Sequence, residues 1–277
     1  MKRKGKRKVK RKADKGRSFF WYVGQGLLYV LKIPYYVFLG IRYIIRKISK
    51  KRAEKAVFKK RERMVAKYED LKVLDTVLGK YEKWIDKAYN SDSQIGIILG
   101  ARGSGKTAFG IKFLENYHVK NKKKCFAIGF NKNDLPSWIS GVKEVSEIEN
   151  DSYVLIDEGG VLFNSRSSMS SANKLLSQLM LIARHKNISI LFISQNSSNL
   201  EVNILRQADF LVLKPSSLLQ KDFERKIIQN IYNKSKAGFE KFSSDKGLTY
   251  IYSGAFSGFV SNPLPSFWKE NLSKGFR

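Results

Sequence analysis

The chain has few of the residues that cross-link a fold or bind metal ions. It contains one cysteine, Cys125, and two histidines, His118 and His185, among 277 residues. A single cysteine excludes a disulfide framework within the chain, and two histidines without a Cys-x-x-Cys spacing exclude the usual zinc modules. This composition is typical of a reducing, cytoplasmic compartment rather than of a small secreted domain.

Acidic residues are also scarce relative to basic ones. The sequence has 53 Lys and Arg against 24 Asp and Glu, a formal net charge of +29. Residues 1–60 hold 21 of the basic residues and two acids, Asp14 and Glu54. Such an excess predicts a polyanionic partner, either a nucleic acid (DNA) or an anionic membrane surface. Residues 1–18, dense in like charges that repel one another, are expected to form a disordered arm.

One apolar segment interrupts the basic N-terminal region. Residues 19–45 contain only two charged residues, Lys32 and Arg42, with Pro34 near the middle. Their length suits a transmembrane helix, but both flanks are basic, and basic flanks tend to stay cytoplasmic. A hairpin bent at Pro34 on the inner membrane face, or an apolar element packed on a partner subunit, fits the same residues. Residues 19–48 are therefore assigned as a membrane-associated or packing segment, with these alternatives open.

The rest of the chain divides at an Asn-Ser-Asp-Ser stretch near residue 92. Residues 49–92 are predicted as a helical linker, because their apolar positions recur at three- and four-residue steps. Across residues 93–277, short apolar runs alternate with helical patterns, which predicts an α/β fold with a mostly parallel sheet flanked by helices. The predicted strands cover residues 95–99, 125–128, 153–156, 188–193 and 210–213, with a hairpin at 250–260, and the predicted helices cover residues 106–117, 172–185 and 218–236.

A glycine-rich loop follows the first of these strands. Residues 100–107 read Gly-Ala-Arg-Gly-Ser-Gly-Lys-Thr and precede a helical run, which is the context that a phosphate-binding loop requires. Glycines let the backbone N–H groups turn inward, and the following helix adds the positive end of its dipole. We expect Lys106 to reach the β- and γ-phosphates of ATP and Thr107 to bind Mg²⁺. The expected nucleotide contacts are Gly100, Ala101, Arg102, Gly103, Ser104, Gly105, Lys106, Thr107 and Ala108.

Two acids end a later apolar strand. Asp157 and Glu158 follow Tyr-Val-Leu-Ile, and we expect Asp157 to hold the Mg²⁺ and Glu158 to activate the attacking water. This interpretation requires the acid pair to lie near the lysine-bearing loop, and we expect its strand to adjoin the one that leads into the loop. Gln195, at the end of the strand over residues 188–193, is a candidate sensor of the γ-phosphate.

Together these residues resemble the HerA–FtsK superfamily of P-loop ATPases. That group includes viral genome-packaging ATPases, DNA translocases, conjugative coupling ATPases and Zot-like phage morphogenesis proteins. The resemblance runs from about residue 95 to 213 and includes Leu-Ile-Ala-Arg-His-Lys-Asn before the strand that ends at Gln195. It implies a RecA-like fold, a homo-oligomeric ring and an arginine that enters the neighbouring site. Arg184 is the first candidate for that arginine, followed by Arg206 and Arg166.

The resemblance implies an ATP-hydrolysing motor that translocates or packages the DNA of a virus or mobile element. The alternative is a membrane-bound assembly or secretion ATPase similar to the Zot-like proteins, which the apolar residues 19–45 favour. A nucleotide-gated scaffold with little turnover is a third possibility, against which Glu158 argues. The small polar stretch at residues 165–171 either contacts a DNA backbone through Arg166 or is a plain surface loop.

Overall fold

The computed structural model describes residues 19–164, 170–269 and 272. The predicted disordered arm, residues 1–18, lies outside this part of the chain, as does Arg166. The chain divides into two compact units, Met1–Ala56 and Val57–Arg277.

The first helix is long and uninterrupted. Helix α1, Phe19–Glu62, runs for 44 residues and contains Pro34. The hairpin bent at Pro34 is therefore wrong: a proline removes one backbone donor, and the helix-compatible residues on both sides continue the helix past it. Within the described ranges, no helix reaches the length and apolar content that crossing a membrane requires.

A nine-stranded sheet forms the centre of the second unit, counted over the residues that the structure describes. Its strand order is β1-β9-β8-β7-β2-β6-β5-β3-β4. The strands from β7 to β4 are parallel, whereas β8, β9 and β1 are antiparallel. The predicted α/β class with a mostly parallel sheet is confirmed. The strands are β1 (Lys72–Gly79), β2 (Ile95–Leu99), β3 (Lys124–Ile128), β4 (Ile139–Gly141), β5 (Ser152–Asp157), β6 (Ile188–Ile193), β7 (Phe210–Leu213), β8 (Leu248–Ser253) and β9 (Phe256–Ser261).

Helices cover both faces of this sheet. On one face, α2 (Tyr81–Asn90) and α3 (Lys106–Asn121) share a buried apolar cluster with Ile98 of β2. On the other, α5 (Ser170–Lys186), α6 (Val202–Gln207) and α8 (Lys226–Lys234) share a cluster with Ile97 and Leu99. Successive residues of β2 thus point to opposite buried faces, which explains why the strand is apolar throughout. The remaining helices are α4 (Glu158–Asn164), α7 (Leu218–Phe223) and α9 (Lys236–Lys241).

Two predicted helices need correction. Residues 49–92 are helical only at their ends, because β1 lies between α1 and α2 and pairs with β9. The apolar residues of β1 fit both a helical and an extended pattern, and the partner strand that decides between them lies far along the chain. The helix predicted from residue 218 to 236 divides at Glu224. The Glu224 carboxylate is buried and accepts a hydrogen bond from the Ser197 backbone N–H at 2.7 Å.

The single cysteine lies in the core of the second unit. Cys125 is on β3 and is 1% exposed, with its Sγ 3.8 Å from the backbone oxygen of Leu114. Burial raises the pKa of this thiol far above its usual value, because the thiolate would lose its solvation. Cys125 is therefore an inert core residue.

Candidate functional site

The glycine-rich loop closes the end of β2 and begins α3. Gly105, the residue before α3, has φ 89°, and Gly100 has φ 149°, so both adopt conformations that favour glycine. A Cβ on Gly100 would also lie 2.6 Å from the Cβ of Lys214. The backbone N–H of Ala101 donates to the oxygen of Pro215 at 3.0 Å, which joins the loop to the segment after β7. The sequence thus folds into a fixed turn at the head of a helix.

Lys106 lies inside this turn. Its Nζ donates to the backbone oxygens of Gly100 at 2.7 Å and Ala101 at 2.9 Å, and the residue is 8% exposed. Burial lowers the pKa of Lys106, while the nearby carboxylates of Asp157 and Glu158 oppose that shift. A partly desolvated cation surrounded by carbonyl dipoles gains from an anion placed beside it.

Ser104 supplies a test of whether the loop fits a phosphate. Its Oγ is buried and has no hydrogen-bond partner among the described residues. Buried polar atoms are nearly always paired in native proteins, and this unpaired hydroxyl could donate to an oxygen of a bound phosphate. Together with Lys106 and the positive end of α3, it makes the loop a suitable cradle for a triphosphate.

The first acid of the predicted pair faces the loop. The Oγ1 of Thr107 lies 3.4 Å from the Oδ2 of Asp157, and the backbone N–H of Gly159 donates to Oδ1 at 3.1 Å. Burial raises the pKa of Asp157, and the N–H groups of Gly160 and Gly159 with the charge of Lys106 oppose the rise. A hydroxyl and a carboxylate at this separation are oxygen ligands of the kind Mg²⁺ takes, together with waters and phosphate. The described residues include no cluster of three His, Cys, Asp or Glu that could hold a metal without such help.

The sequence predicted that the strand that carries Asp157 adjoins β2, but in the structure the two strands are not neighbours. Strand β6 lies between β2 and β5, so that expectation is wrong. Asp157 comes close to the glycine-rich loop because α3, which follows the loop, packs closely against β5 and β6. A Cβ on Gly110 of α3 would lie 2.7 Å from Leu155 of β5 and 3.3 Å from Ile193 of β6. Glycine at this position lets the helix approach, and the start of α3 brings Thr107 to Asp157.

The second acid turns toward the end of β6. Glu158 is 4% exposed, and its Oε2 accepts hydrogen bonds from the Ser194 hydroxyl at 2.5 Å and the Gln195 backbone N–H at 3.3 Å. Ser194 is fully buried. Gln195 is exposed. Its backbone N–H donates to Glu158, and its backbone oxygen accepts from Gln220.

A short helix supports the loop after β6. The Nε2 of Gln220 on α7 donates to the backbone oxygen of Gln195 at 2.5 Å. The hydroxyl of Ser198 donates to the backbone oxygen of Phe223 at 2.6 Å, and Arg225 donates to the oxygens of Ser197 and Leu200. The segment that contacts Glu158 is therefore held from its outer side by α7 and the residues that follow it.

Sequence reasoning missed Lys214, whose side chain packs against Gly100 and Gly105 of the glycine-rich loop. It is fully buried, and its Nζ donates to the Gly247 oxygen at 3.1 Å and to Thr249 Oγ1 and Asn262 Oδ1 at 2.8 Å each. Burial lowers its pKa to about 7. The only signal in the sequence is a lysine directly after the apolar strand Phe-Leu-Val-Leu, which resembles an ordinary strand end.

The candidate arginines lie at the other edge of the sheet. Arg184 is exposed in the last turn of α5, just before β6 begins, whereas the loop and the acids follow the carboxyl ends of β2 and β5. The six residues of β6 separate these edges by about 20 Å. Arg206, exposed near the end of α6 and before β7, is placed similarly. Neither arginine belongs to the site of its own chain.

Comparisons with known proteins give weak structural similarities. No protein-family model matches the chain, and no curated protein matches it in sequence. The chain is similar to the DNA-packaging ATPase B204 of Sulfolobus turreted icosahedral virus, with 14% identity, TM-score 0.40, and coverage of 63% of this chain and 99% of that one. It is also similar to the genome-packaging NTPase B204 of Sulfolobus turreted icosahedral virus 2 with ATP-γ-S, with 15% identity and TM-score 0.43. That similarity covers 62% of this chain and 98% of the other.

A third similar structure comes from a conjugation system. The coupling protein TcpA of pCW3, solved with ATP-γ-S, has 12% identity and TM-score 0.39, with coverage of 65% of this chain and 62% of that one. At TM-scores below 0.5 these similarities carry no evidence about the activity or partners of this chain.

Proposed function

We propose that the chain binds ATP with Mg²⁺ at the loop of residues 100–107 and hydrolyses it. The observation that carries this proposal is the convergence of Lys106, Thr107, Asp157 and Glu158 at one edge of the sheet. The hydroxyl–carboxylate distance between Thr107 and Asp157 is 3.4 Å. Four residues from two distant motifs meet there, around a loop that holds an unpaired buried hydroxyl.

Each residue has a distinct role in this proposal. Lys106 neutralises charge on the terminal phosphates, and the backbone N–H groups of the loop bind their oxygens. Thr107 and Asp157 would hold Mg²⁺, which when bound withdraws charge from the phosphate oxygens. Glu158 orients and deprotonates the attacking water, while the Ser194 hydroxyl and the Gln195 N–H hold its Oε2 in place. Gln195 is proposed to sense the terminal phosphate through the loop that it begins.

We propose further that hydrolysis moves DNA. The surplus of 53 basic over 24 acidic residues favours sequence-independent binding to a phosphate backbone through release of counterions. In this proposal copies of the chain form a ring, and Arg184 of one copy completes the site of the next. A basic residue at the far edge of the sheet can reach a nucleotide only in another copy.

A second candidate is a membrane-bound assembly or secretion ATPase with the same catalytic site. The observation that favours it is α1, whose large apolar side chains from Ile33 to Ile48 are exposed. The two candidates share the ATP chemistry and differ in the substrate that is moved. They are separated by the response of hydrolysis to DNA.

The test is steady-state ATP hydrolysis by the full chain, with and without duplex or single-stranded DNA. We expect DNA to stimulate hydrolysis, and we expect E158Q to bind ATP normally while its kcat falls by about 10²- to 10⁴-fold, the usual contribution of a general base. E82Q, an exposed acid on α2, is the matched control and should leave kcat unchanged. If E158Q hydrolyses ATP as fast as the parent, the mechanism is wrong. If the parent is active but indifferent to DNA, the DNA-motor function is wrong and the ATPase remains.

A further inference from the structure

The segment of α1 from Ile33 to Ile48 exposes an unusual amount of apolar surface. Every large apolar side chain from Ile33 to Ile48 is 40–66% exposed. Five of them are consecutive, from Tyr35 to Leu39, and consecutive helical residues point in directions about 100° apart. Apolar groups therefore surround the helix instead of forming one stripe. A helix that is apolar on all sides requires an environment that surrounds it.

The next part of the same helix is strongly basic. Between Arg46 and Lys55 there are six Lys and Arg residues and one acid, Glu54. All of these residues are exposed. The apolar and basic segments follow one another directly along one rigid element, so a single partner has to satisfy both.

Three kinds of partner can be compared by this chemistry. A second copy of α1 aligned in parallel would bring two sets of six cations together, and an antiparallel copy would set the cations against apolar side chains. A nucleic acid would neutralise the cations but leave the apolar segment in water. An anionic lipid surface provides acyl chains for the apolar segment and phosphates for the basic one.

We propose that α1 docks the protein on an anionic membrane surface. The segment from Ile33 to Ile48 buries its side chains in the near leaflet, and the segment from Arg46 to Lys55 binds the lipid phosphates. Arg42, within the apolar segment, extends its long side chain back to the head groups. This docking does not depend on the proposed ATPase activity.

Binding of the full chain to lipid vesicles tests the proposal. The vesicles contain phosphatidylcholine alone or phosphatidylcholine mixed with phosphatidylglycerol, and bound protein is measured by flotation without nucleotide. We expect binding to the mixed vesicles that weakens with added salt, and at least tenfold weaker binding to the neutral ones. K106A, which disables the proposed nucleotide site, should bind as the parent does, so that a failure of the ATPase proposal remains distinguishable.

The basic segment is tested by replacing Lys47, Lys50, Lys51 and Lys55 together with Gln. Each lysine near an anionic surface contributes about a fivefold gain in affinity, so the combined loss should be on the order of several hundredfold. The matched control replaces four exposed lysines of the second unit, Lys72, Lys80, Lys83 and Lys87, with Gln. It removes the same charge and should bind nearly as the parent does. If both variants lose the same amount of vesicle affinity, binding depends on the net charge of the protein and not on α1, and the proposal is overturned.

The apolar segment is tested by replacing Val37, Phe38, Ile41 and Ile44 together with Ser. These side chains are 52–59% exposed, so the change should leave the fold of the second unit intact, as its thermal unfolding will show. Burial of each in lipid contributes about tenfold or more, so vesicle binding should fall by at least about a hundredfold. Unchanged vesicle binding by this variant overturns the proposal.

Two other results would assign α1 to another partner. If the parent ignores vesicles and the serine variant converts an oligomer into a monomer, the partner is a second copy of the chain. If duplex DNA binds the parent, is lost in the glutamine variant and is unaffected in the serine variant, with no vesicle binding by any of them, the partner is nucleic acid. Sedimentation and DNA binding of the same three proteins decide between these outcomes, and either result overturns membrane docking.

Discussion

The hydroxyl of Ser194 offers a sharp test of how Glu158 is held for catalysis. Ser194 has one proton to donate, and its Oγ lies 2.5 Å from Glu158 Oε2 and 3.0 Å from the Asn196 backbone oxygen. The shorter contact has the charged acceptor, so we assign the proton to Glu158. In S194A, Glu158 keeps only the longer contact with the Gln195 N–H at 3.3 Å. The carboxylate should then lose its fixed orientation toward the water.

The size of the effect follows from the type of bond. A hydrogen bond to a charged group contributes about 1.5–3 kcal/mol, and about 1.4 kcal/mol corresponds to a tenfold change in rate. If this bond orients Glu158 in the transition state, kcat of S194A should fall by about 10- to 100-fold. ATP affinity should change little, because the Ser194 hydroxyl bonds to Glu158 and Asn196 rather than to the loop of residues 100–107.

The assay measures kcat and the dissociation constant for ATP separately. S194T keeps the hydroxyl and should restore most of the rate. S189A removes a buried hydroxyl from the other end of the same strand, where it accepts from the Gln94 N–H, and should leave kcat unchanged. A kcat of S194A within twofold of the parent would refute the positioning role. So would a loss of ATP affinity as large as the loss of rate, which would indicate general disruption.

Three further predictions concern other parts of the site. Burial lowers the pKa of Lys214 in the folded chain to about 7, while the unfolded chain keeps the ordinary value near 10.4, so the unfolded state binds the proton more tightly between these values. The free energy of unfolding, measured with urea, should therefore rise from pH 7 to pH 9 by about 2–3 kcal/mol more in the parent than in K214M. The same dependence of this free energy on pH in both proteins would contradict the prediction. G100A should lower the free energy of unfolding by about 2 kcal/mol or more, because Gly100 has a positive φ and a Cβ there would lie 2.6 Å from Lys214. An unchanged free energy of unfolding would contradict this prediction. R184A mixed with E158Q should recover ATP hydrolysis if the arginine acts on a neighbouring copy, since a mixed interface joins an intact acid to an intact arginine; no recovery at any ratio counts against that role.

The parts of the fold with strong local patterns were predictable from the sequence. Strands β2, β6 and β7 have the bounds that their apolar runs predict, because a strand buried on both faces is apolar along almost its whole length. The turn formed by the glycine-rich residues 100–107 was also predictable, because Gly100 and Gly105 are required by their positive φ and Gly100 also by its close approach to Lys214.

Features that depend on distant partners were not predictable. Val73, Val77 and Leu78 of β1 are exposed on an edge strand, and their spacing suits a helix as well as a strand until β9 pairs with them. Ser194 adjoins Gln195 in the sequence, but its partner Glu158 is brought to it by the pairing of β5 with β6. The roles proposed for Gln195 and Arg184 remain predictions, since one contacts the site through its backbone and the other lies at the far edge of the sheet.

The buried position of Cys125 has a practical consequence for observing this protein at work. Maleimide dyes react with thiolates, and a core thiol with a strongly raised pKa presents almost none. A cysteine introduced on any accessible surface would thus be labelled alone, with no need to remove the natural one. Fluorophores placed in this way on α1 and on the sheet would report bilayer attachment and nucleotide turnover in single molecules.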